Sequence, residues 1–257
     1  MENFAWLGTT PTIIAWCAFA LFCGGLIKGT LGVGTPLLTV PMMTLVLPVQ
    51  HAVALMAMPV VVANLWQASQ APNIRSILSR FWPAAVALLF GTFAGSHILS
   101  IINEQLLLLI VGSLVIVFTA LQFSSYKLTL GNHLIVPAGI LFGLLSGLIG
   151  GISSMFGPML IVYLVSLQGL NKDDFVSAIS FLYVCAVVPW TLSLLALGLL
   201  KGPLLIGSLF GIIPVSVGMA AGQQLRKHIS EKYFQRLLLL ILVISGASMI
   251  WQSLNGE

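Results

Sequence analysis

The sequence predicts an all-α integral membrane protein made of two inverted structural repeats. Each repeat holds about five apolar helical elements, including a short half-helix after a glycine-rich break. Three observations carry this expectation. The first is composition: 59% of the 257 residues are hydrophobic and 6% are charged, where a soluble domain carries about 25% charged residues. Such a chain has too little polar surface to cover a core in water, so most of its side chains must face lipid. The second is segmentation into apolar runs that match the roughly 20 residues needed per span. The third is an internal similarity between the two halves of the chain.

The first half divides into apolar pieces at 11–28, 35–47, 50–70, 80–101 and 104–123. The second divides at 133–150, 157–169, 173–198, 203–225 and 232–252. The first run follows Glu2 rather than a basic cluster, and no small-x-small cleavage site follows it. It therefore reads as a membrane element and not as a cleaved signal. The second piece of each half, near 13 residues, is short for a full span and suits a half-helix. The domain division expected from these pieces is an N-terminal repeat at 1–123, a cytoplasmic linker at 124–132 and a C-terminal repeat at 133–257.

The repeat shows in two places. GLIKGTLGVGTP at 25–36 aligns with GLIGGISSMFGP at 147–158 at an offset of 122 residues. Further on, Gly91, Gly95 and Glu104 fall on Gly218, Gly222 and Glu231 at an offset of 127, with a small insertion near Gly198–Pro203. Two matches in the same order point to duplication. Charge then tests how the pieces cross. If every piece reverses direction, Lys28, Arg75, Arg80, Lys127, Lys172, Arg226, Lys227, Lys232 and Arg236 share one side and Lys201 alone faces the other. The positive-inside rule makes that side cytoplasmic. Five reversals per half insert the halves upside down relative to each other, the plan of many secondary transporters.

Composition also excludes some chemistry. Glu2, Glu104, Asp173, Asp174, Glu231 and Glu257 lie at the termini or in polar breaks, so no carboxylate relay runs through a span. Cys17, Cys23 and Cys185 sit in apolar runs and read as small packing residues, not as a disulfide framework or metal site. No Walker A pattern couples the chain to ATP. The net charge of +4 is spread beside apolar segments, so nucleic acid is not implied, and no cofactor is expected.

The glycine-rich breaks are the candidate binding site. Glycine permits backbone shapes a helix forbids, and Pro36 and Pro158 are well placed to open new helices. A helix that starts inside the protein directs unpaired N–H groups and a partial positive charge into the site, which suits an anion. Inverted halves would bring two such ends towards the membrane midplane. Thr30, Thr35, Ser153 and Ser154 add hydroxyl donors, Gly34 and Gly157 add backbone, and Lys28 is the lysine embedded in the first break. Lys28 has two readings, an anion partner or a snorkelling topology anchor. Asn64 and Gln67, one turn apart, either bond another helix or line the substrate path. Gly91/Gly95 and Gly218/Gly222 read as GxxxG packing pairs, whereas the polar breaks beside Gly25/Gly29 and Gly147/Gly151 tilt those two pairs towards the site. His51 and His97 read as structural or interfacial residues, and Trp66, Trp82, Trp190 and Trp251 as a mixture of interfacial belt and packing.

GGLIKGTLGVGTPLLTVPMM at 24–43 and SGLIGGISSMFGPMLIVYLV at 146–165, with the two-half organisation and the chain length, resemble the TauE/SafE family of sulfite exporters. The second break departs from the family pattern, holding Ser153-Ser154-Met155 where a third glycine cluster would be expected. The resemblance implies export of sulfite or a small organosulfonate across the cell membrane. The expectation is thus a secondary transporter of a small oxyanion, bound between the repeats at the glycine-rich breaks, with the lipid bilayer as its other partner. Two rival readings stay open: an intramembrane serine hydrolase using Ser153, which would need a histidine in a later span where the only later one is His228, flanked by Arg226 and Lys227 in a loop, and an anion channel built from the same residues.

Overall fold

The computed structural model describes residues 11–32, 34–70, 74–123, 130–131, 134–226 and 231–255. Lys127, Lys227, His228 and most of the expected linker at 124–132 lie outside them. The described residues form twelve α-helices, and six helical stretches are long and apolar enough to cross a membrane: Pro11–Leu31, Val49–Ser69, Ile77–Ile101, Ile135–Ser153, Asp173–Ala196 and Gly202–Leu225. The protein is therefore a multi-pass, all-helical membrane protein. Each helix falls within a few residues of a segment read from the sequence. Helix is the required solution, because a chain in hydrocarbon must satisfy its backbone N–H and C=O groups internally.

Two compact units result, and each draws on both halves of the chain. The first comprises Met1–Pro59, Ile102–Phe123 and Leu199–Glu257. It contains α1 (Pro11–Leu31), α2 (Thr35–Met43), α3 (Val49–Leu55), α6 (Glu104–Phe123), α10 (Gly202–Phe210), α11 (Ile212–Leu225) and α12 (Glu231–Asn255). Helix α1 packs along α11 and carries α2, while α6 packs along α12. The second unit comprises Val60–Ile101 and Ser124–Gly198. It contains most of α4 (Ala57–Ser69), then α5 (Ile74–Ile101), α7 (Ile135–Ser153), α8 (Gly157–Ser166) and α9 (Lys172–Ala196). Here α5 packs against both α7 and α9, and α8 folds back on α7.

Glycines set the main crossing in each unit. A Cβ on Gly25 or Gly29 of α1 would overlap the backbone carbonyl of Val215 or Met219 on α11. In return, Gly218 and Gly222 lie against the carbonyls of Phe22 and Leu26. The second unit repeats this: Gly147 and Gly151 of α7 meet the carbonyls of Leu88 and Thr92, and Gly91 and Gly95 of α5 meet those of Leu144 and Leu148. Every contact in one crossing maps onto one in the other at the offsets of 122 and 127 found in the sequence. All four GxxxG pairs therefore serve close packing, including the two whose neighbouring breaks had tilted them towards the site.

The units differ at one corner. In the second, Gly139 and Gly143 prolong the α7–α5 contact, and the space beside them holds three rings. Tyr163 is stacked on Phe142, with centroids 6.0 Å apart, and edge-on to Phe81 at 6.1 Å. Its hydroxyl donates to the Ile135 carbonyl at 2.9 Å. The matched residues of the first unit are small: Ala20 for Phe142, Pro41 for Tyr163 and Ser208 for Phe81. Cys17 and Leu21 replace the two glycines, and the Leu21 Cδ1 sits 3.1 Å from where a Cβ on Gly211 would lie.

Ser208 has a task of its own. The span Val49–Ser69 is interrupted at Met56, between α3 and α4, because Pro59 has no N–H for the Leu55 carbonyl. The Ser208 hydroxyl donates to that carbonyl at 3.0 Å and accepts the Met58 N–H at 3.0 Å. One side chain thus satisfies the carbonyl that the proline orphans and an N–H left open in the first turn of α4. At the other end of α3, the Glu104 carboxylate accepts the Val49 N–H at 3.2 Å.

Gly218→Val should lower the stability of the purified protein by about 1–3 kcal/mol, the usual cost of forcing volume into a close-packed contact. Gly91→Val, at the matched position, should cost a similar amount. Denaturant unfolding in detergent, followed by tryptophan fluorescence, measures both. An unchanged midpoint would remove the glycine crossings as determinants of stability.

Candidate functional site

Both breaks share one backbone design. Helix α1 ends at Leu31 and α7 ends at Ser153, positions that match at the offset of 122. The next residue adopts a left-handed conformation in each case, Gly32 with φ 82° and Ser154 with φ 62°. Its N–H bonds back to the helix, Gly32 to the Lys28 carbonyl at 2.8 Å and Ser154 to the Gly150 carbonyl at 2.6 Å. Half-helices then open at Thr35 and Gly157, each with proline in its first turn. They run nine residues in α2 and ten in α8, which makes them the short elements expected. Gly34 precedes α2 with φ 98°, a shape that glycine adopts without penalty.

The residues filling the two breaks differ. Gly150 lies where a side chain would run into the Phe156 ring. At the matching positions of the first break the bulk changes sides, with Lys28 opposite Gly34. In the second unit Phe156 packs edge-on against Trp190, with centroids 5.9 Å apart. The Trp190 indole N–H donates to the Gly151 carbonyl at 3.0 Å, and the Ser146 hydroxyl donates to the Phe156 carbonyl. The Tyr183 hydroxyl lies against Gly157. Trp190 is fully buried, whereas Trp66, Trp82 and Trp251 are exposed, so the four tryptophans split between packing and periphery. Trp190, Phe156, Tyr183 and Ser146 are the buttress that sequence reading missed. Apolar residues within an apolar run carry no signal of which ones touch.

Hydroxyls sort the candidates further. In a membrane helix a buried Ser or Thr normally donates to a carbonyl one turn back. Thr92, Ser96, Thr119, Ser177 and Ser180 all do so. Thr30 follows the same habit, bonding the Leu26 and Ile27 carbonyls. So does Ser153, which donates to the Ile149 carbonyl at 2.7 Å and accepts the Met155 N–H at 3.2 Å. Thr39, Ser146 and Ser208 donate instead to carbonyls of other segments, whereas among the described residues the buried hydroxyls of Thr35, Ser154, Thr191 and Ser193 have no hydrogen-bond partner. Two of them flank the breaks. Thr191 and Ser193 follow Pro189 in α9, and nothing in the sequence separates them from ordinary helix hydroxyls.

Lys28 lies in the last turn of α1 and is 5% exposed. A snorkelling lysine would instead carry its ammonium group to the periphery. Asn64 is buried on α4 and donates to the Val60 carbonyl of its own helix at 2.7 Å, while the Gln67 side-chain carbonyl has no partner. The first unit thus holds Lys28, Thr30, Gly34 and Thr35 around one break. The second holds Ser153, Ser154 and Gly157 around the other, with Asn64 and Gln67 on α4.

The sulfite exporter TauE/SafE family model matches residues 17–249, which include both breaks. The chain belongs to the TauE/SafE family. A comparison with curated proteins finds no match, and neither does one with solved structures. This is a family of membrane transporters, and the paired breaks lie at the ends of the first long helix in each half of this TauE/SafE protein.

Ser154 is the one non-glycine residue with positive φ among the described residues. That conformation costs an ordinary residue about 1–2 kcal/mol. Ser154→Gly should therefore keep or raise the unfolding midpoint, and Ser154→Val should lower it by about 1–3 kcal/mol. Thermal unfolding of both variants checks the pair. A midpoint lowered by glycine would mean that the hydroxyl, and not the backbone, holds this residue in place.

Proposed function

We propose that this TauE/SafE protein is a secondary carrier that exports a small sulfur oxyanion, sulfite or an organosulfonate, from the cytoplasm across the cell membrane. The observation that carries the reading is the pairing of a proline-opened half-helix with a buried, unpartnered hydroxyl at each break. Helix N-termini supply N–H donors and partial positive charge. Thr35 and Ser154 supply hydroxyl donors that no backbone carbonyl has claimed, and Lys28 supplies the N–H donors of its amine. Sulfite and sulfonate oxygens are acceptors for all three. Thr30 and Gly34 accompany Thr35 at the first break, Ser153 and Gly157 accompany Ser154 at the second, and Asn64 and Gln67 on α4 are further candidates.

The residue-by-residue match of the two glycine crossings supports a duplicated chain. Read with the basic residues on one face, it gives inverted repeats with both termini outside. Alternating access then follows from two similar halves that exchange conformations around the bound anion.

Labelled sulfite and sulfoacetate should enter protein-containing liposomes with saturable kinetics. A hydrogen bond to a charged group contributes about 1.5–3 kcal/mol, so Thr35→Val and Ser154→Ala should each weaken the apparent affinity by about 10–100-fold. Lys28→Ala should weaken it without preventing membrane insertion. Unchanged affinity in folded variants would reject these residues as anion contacts. Flux that rises linearly with concentration would identify a channel. Labelling of Ser153 by a serine-reactive probe would favour the hydrolase.

A further inference from the structure

The first unit contains an apolar cavity of about 380 Å³. Its walls come from the start of α1 (Ile13, Cys17), the end of α2 (Met43), α3 (Leu55) and the α10–α11 junction (Phe210, Pro214). It exists for a reason visible in the two crossings. Below the junction, α11 is pulled onto α1 by Gly218 and Gly222. Above it, Pro214 removes a helix hydrogen bond, and Leu21 stands against Gly211, where the second unit has Gly143 against Ala84. At the corresponding corner of the second unit the Tyr163 ring lies against Gly139, the match of the cavity-lining Cys17, and the residue matching Tyr163 in the first unit is Pro41, which has no ring to reach there.

Left empty, a cavity this large would forfeit the dispersion contacts of every side chain that lines it. Water does not fill it, because a buried water needs two to four polar partners and the walls are hydrocarbon apart from the Cys17 thiol. For the same reason its walls offer no partner to a sulfur oxyanion. Ile14 and Phe210, 48% and 63% exposed, belong both to the cavity and to the outer face of their helices. They lie in two of the helical stretches long and apolar enough to cross a membrane, where an exposed apolar side chain meets hydrocarbon. We infer that the cavity is a binding site for one acyl chain of a bilayer phospholipid, which takes the place that the Tyr163 ring holds in the second unit.

The full-length protein, reconstituted in phosphatidylethanolamine–phosphatidylglycerol vesicles with a trace of phosphatidylcholine bearing a mid-chain diazirine, tests this directly. On illumination, peptides covering residues 13–18 and 207–214 should take up more label than the peptide around Phe90, which is 68% exposed on α5. Ala18→Phe, which adds a ring to the cavity wall, should remove that excess and leave labelling at Phe90 unchanged. Cys17→Leu is a smaller filling variant that serves if Ala18→Phe does not fold. Equal labelling at the cavity and at Phe90, or an excess that survives filling in a folded variant, overturns the site. Covalent dimers formed in place of lipid adducts, when a photo-reactive residue replaces Ile14, assign the cavity to a second copy of the chain and overturn it as well.

Discussion

Within hydrocarbon no solvent rescues a backbone group that loses its partner, and the structure is organised around that constraint. Its consequences are clearest where helices are interrupted. At Met56 a serine from another helix takes both orphaned groups. At the two breaks the chain turns through a left-handed residue whose N–H is caught by the preceding helix. Glycine lets helices approach until Cα and carbonyl oxygen touch, so the crossings gain dispersion contacts that lipid would not provide. Thr35 and Ser154 depart from this economy, since their buried hydroxyls have no hydrogen-bond partner.

The two breaks show how one backbone can carry two chemistries. Both use the same helix ends, capping bond and proline. In the first, glycines take the strained positions and a lysine supplies bulk and charge. In the second, a serine holds the left-handed position, and an aromatic buttress of Phe156 and Trp190 supplies bulk without charge. The common geometry follows from what a helix needs in order to stop and restart, and the differences lie in side chains that the backbone does not dictate.

The helical character and approximate place of the segments were legible in the sequence, because apolar length and proline placement answer to membrane thickness and backbone chemistry, but the interruptions at Met56 and Gly211 and the early start of α5 at Ile74 were not. Residues 31 and 153, and then 35 and 157, behave alike because glycine and proline patterns fix them. The role of the first two GxxxG pairs was read less well. A glycine beside a polar break looks the same in sequence whether a ligand or a neighbouring helix comes close, and here it is the helix. Contacts between distant apolar residues, such as Phe156 with Trp190 or Ser208 with Leu55, were illegible, since many leucines and serines would satisfy the same pattern. Lys28 was left open between periphery and interior, and its burial was decided by packing that no local signal records.

Each compact unit draws on both halves of the chain, and this has a bearing on synthesis. Chains emerge from the ribosome in order, and domains close as their parts become available. All segments of the second unit have been made once residue 198 emerges. Helix α1 is made well before its partner α11, which begins at Ile212, so its glycine face has no α11 to meet while the whole of the second unit is synthesised. The unit that carries the buried lysine is therefore the later of the two to close.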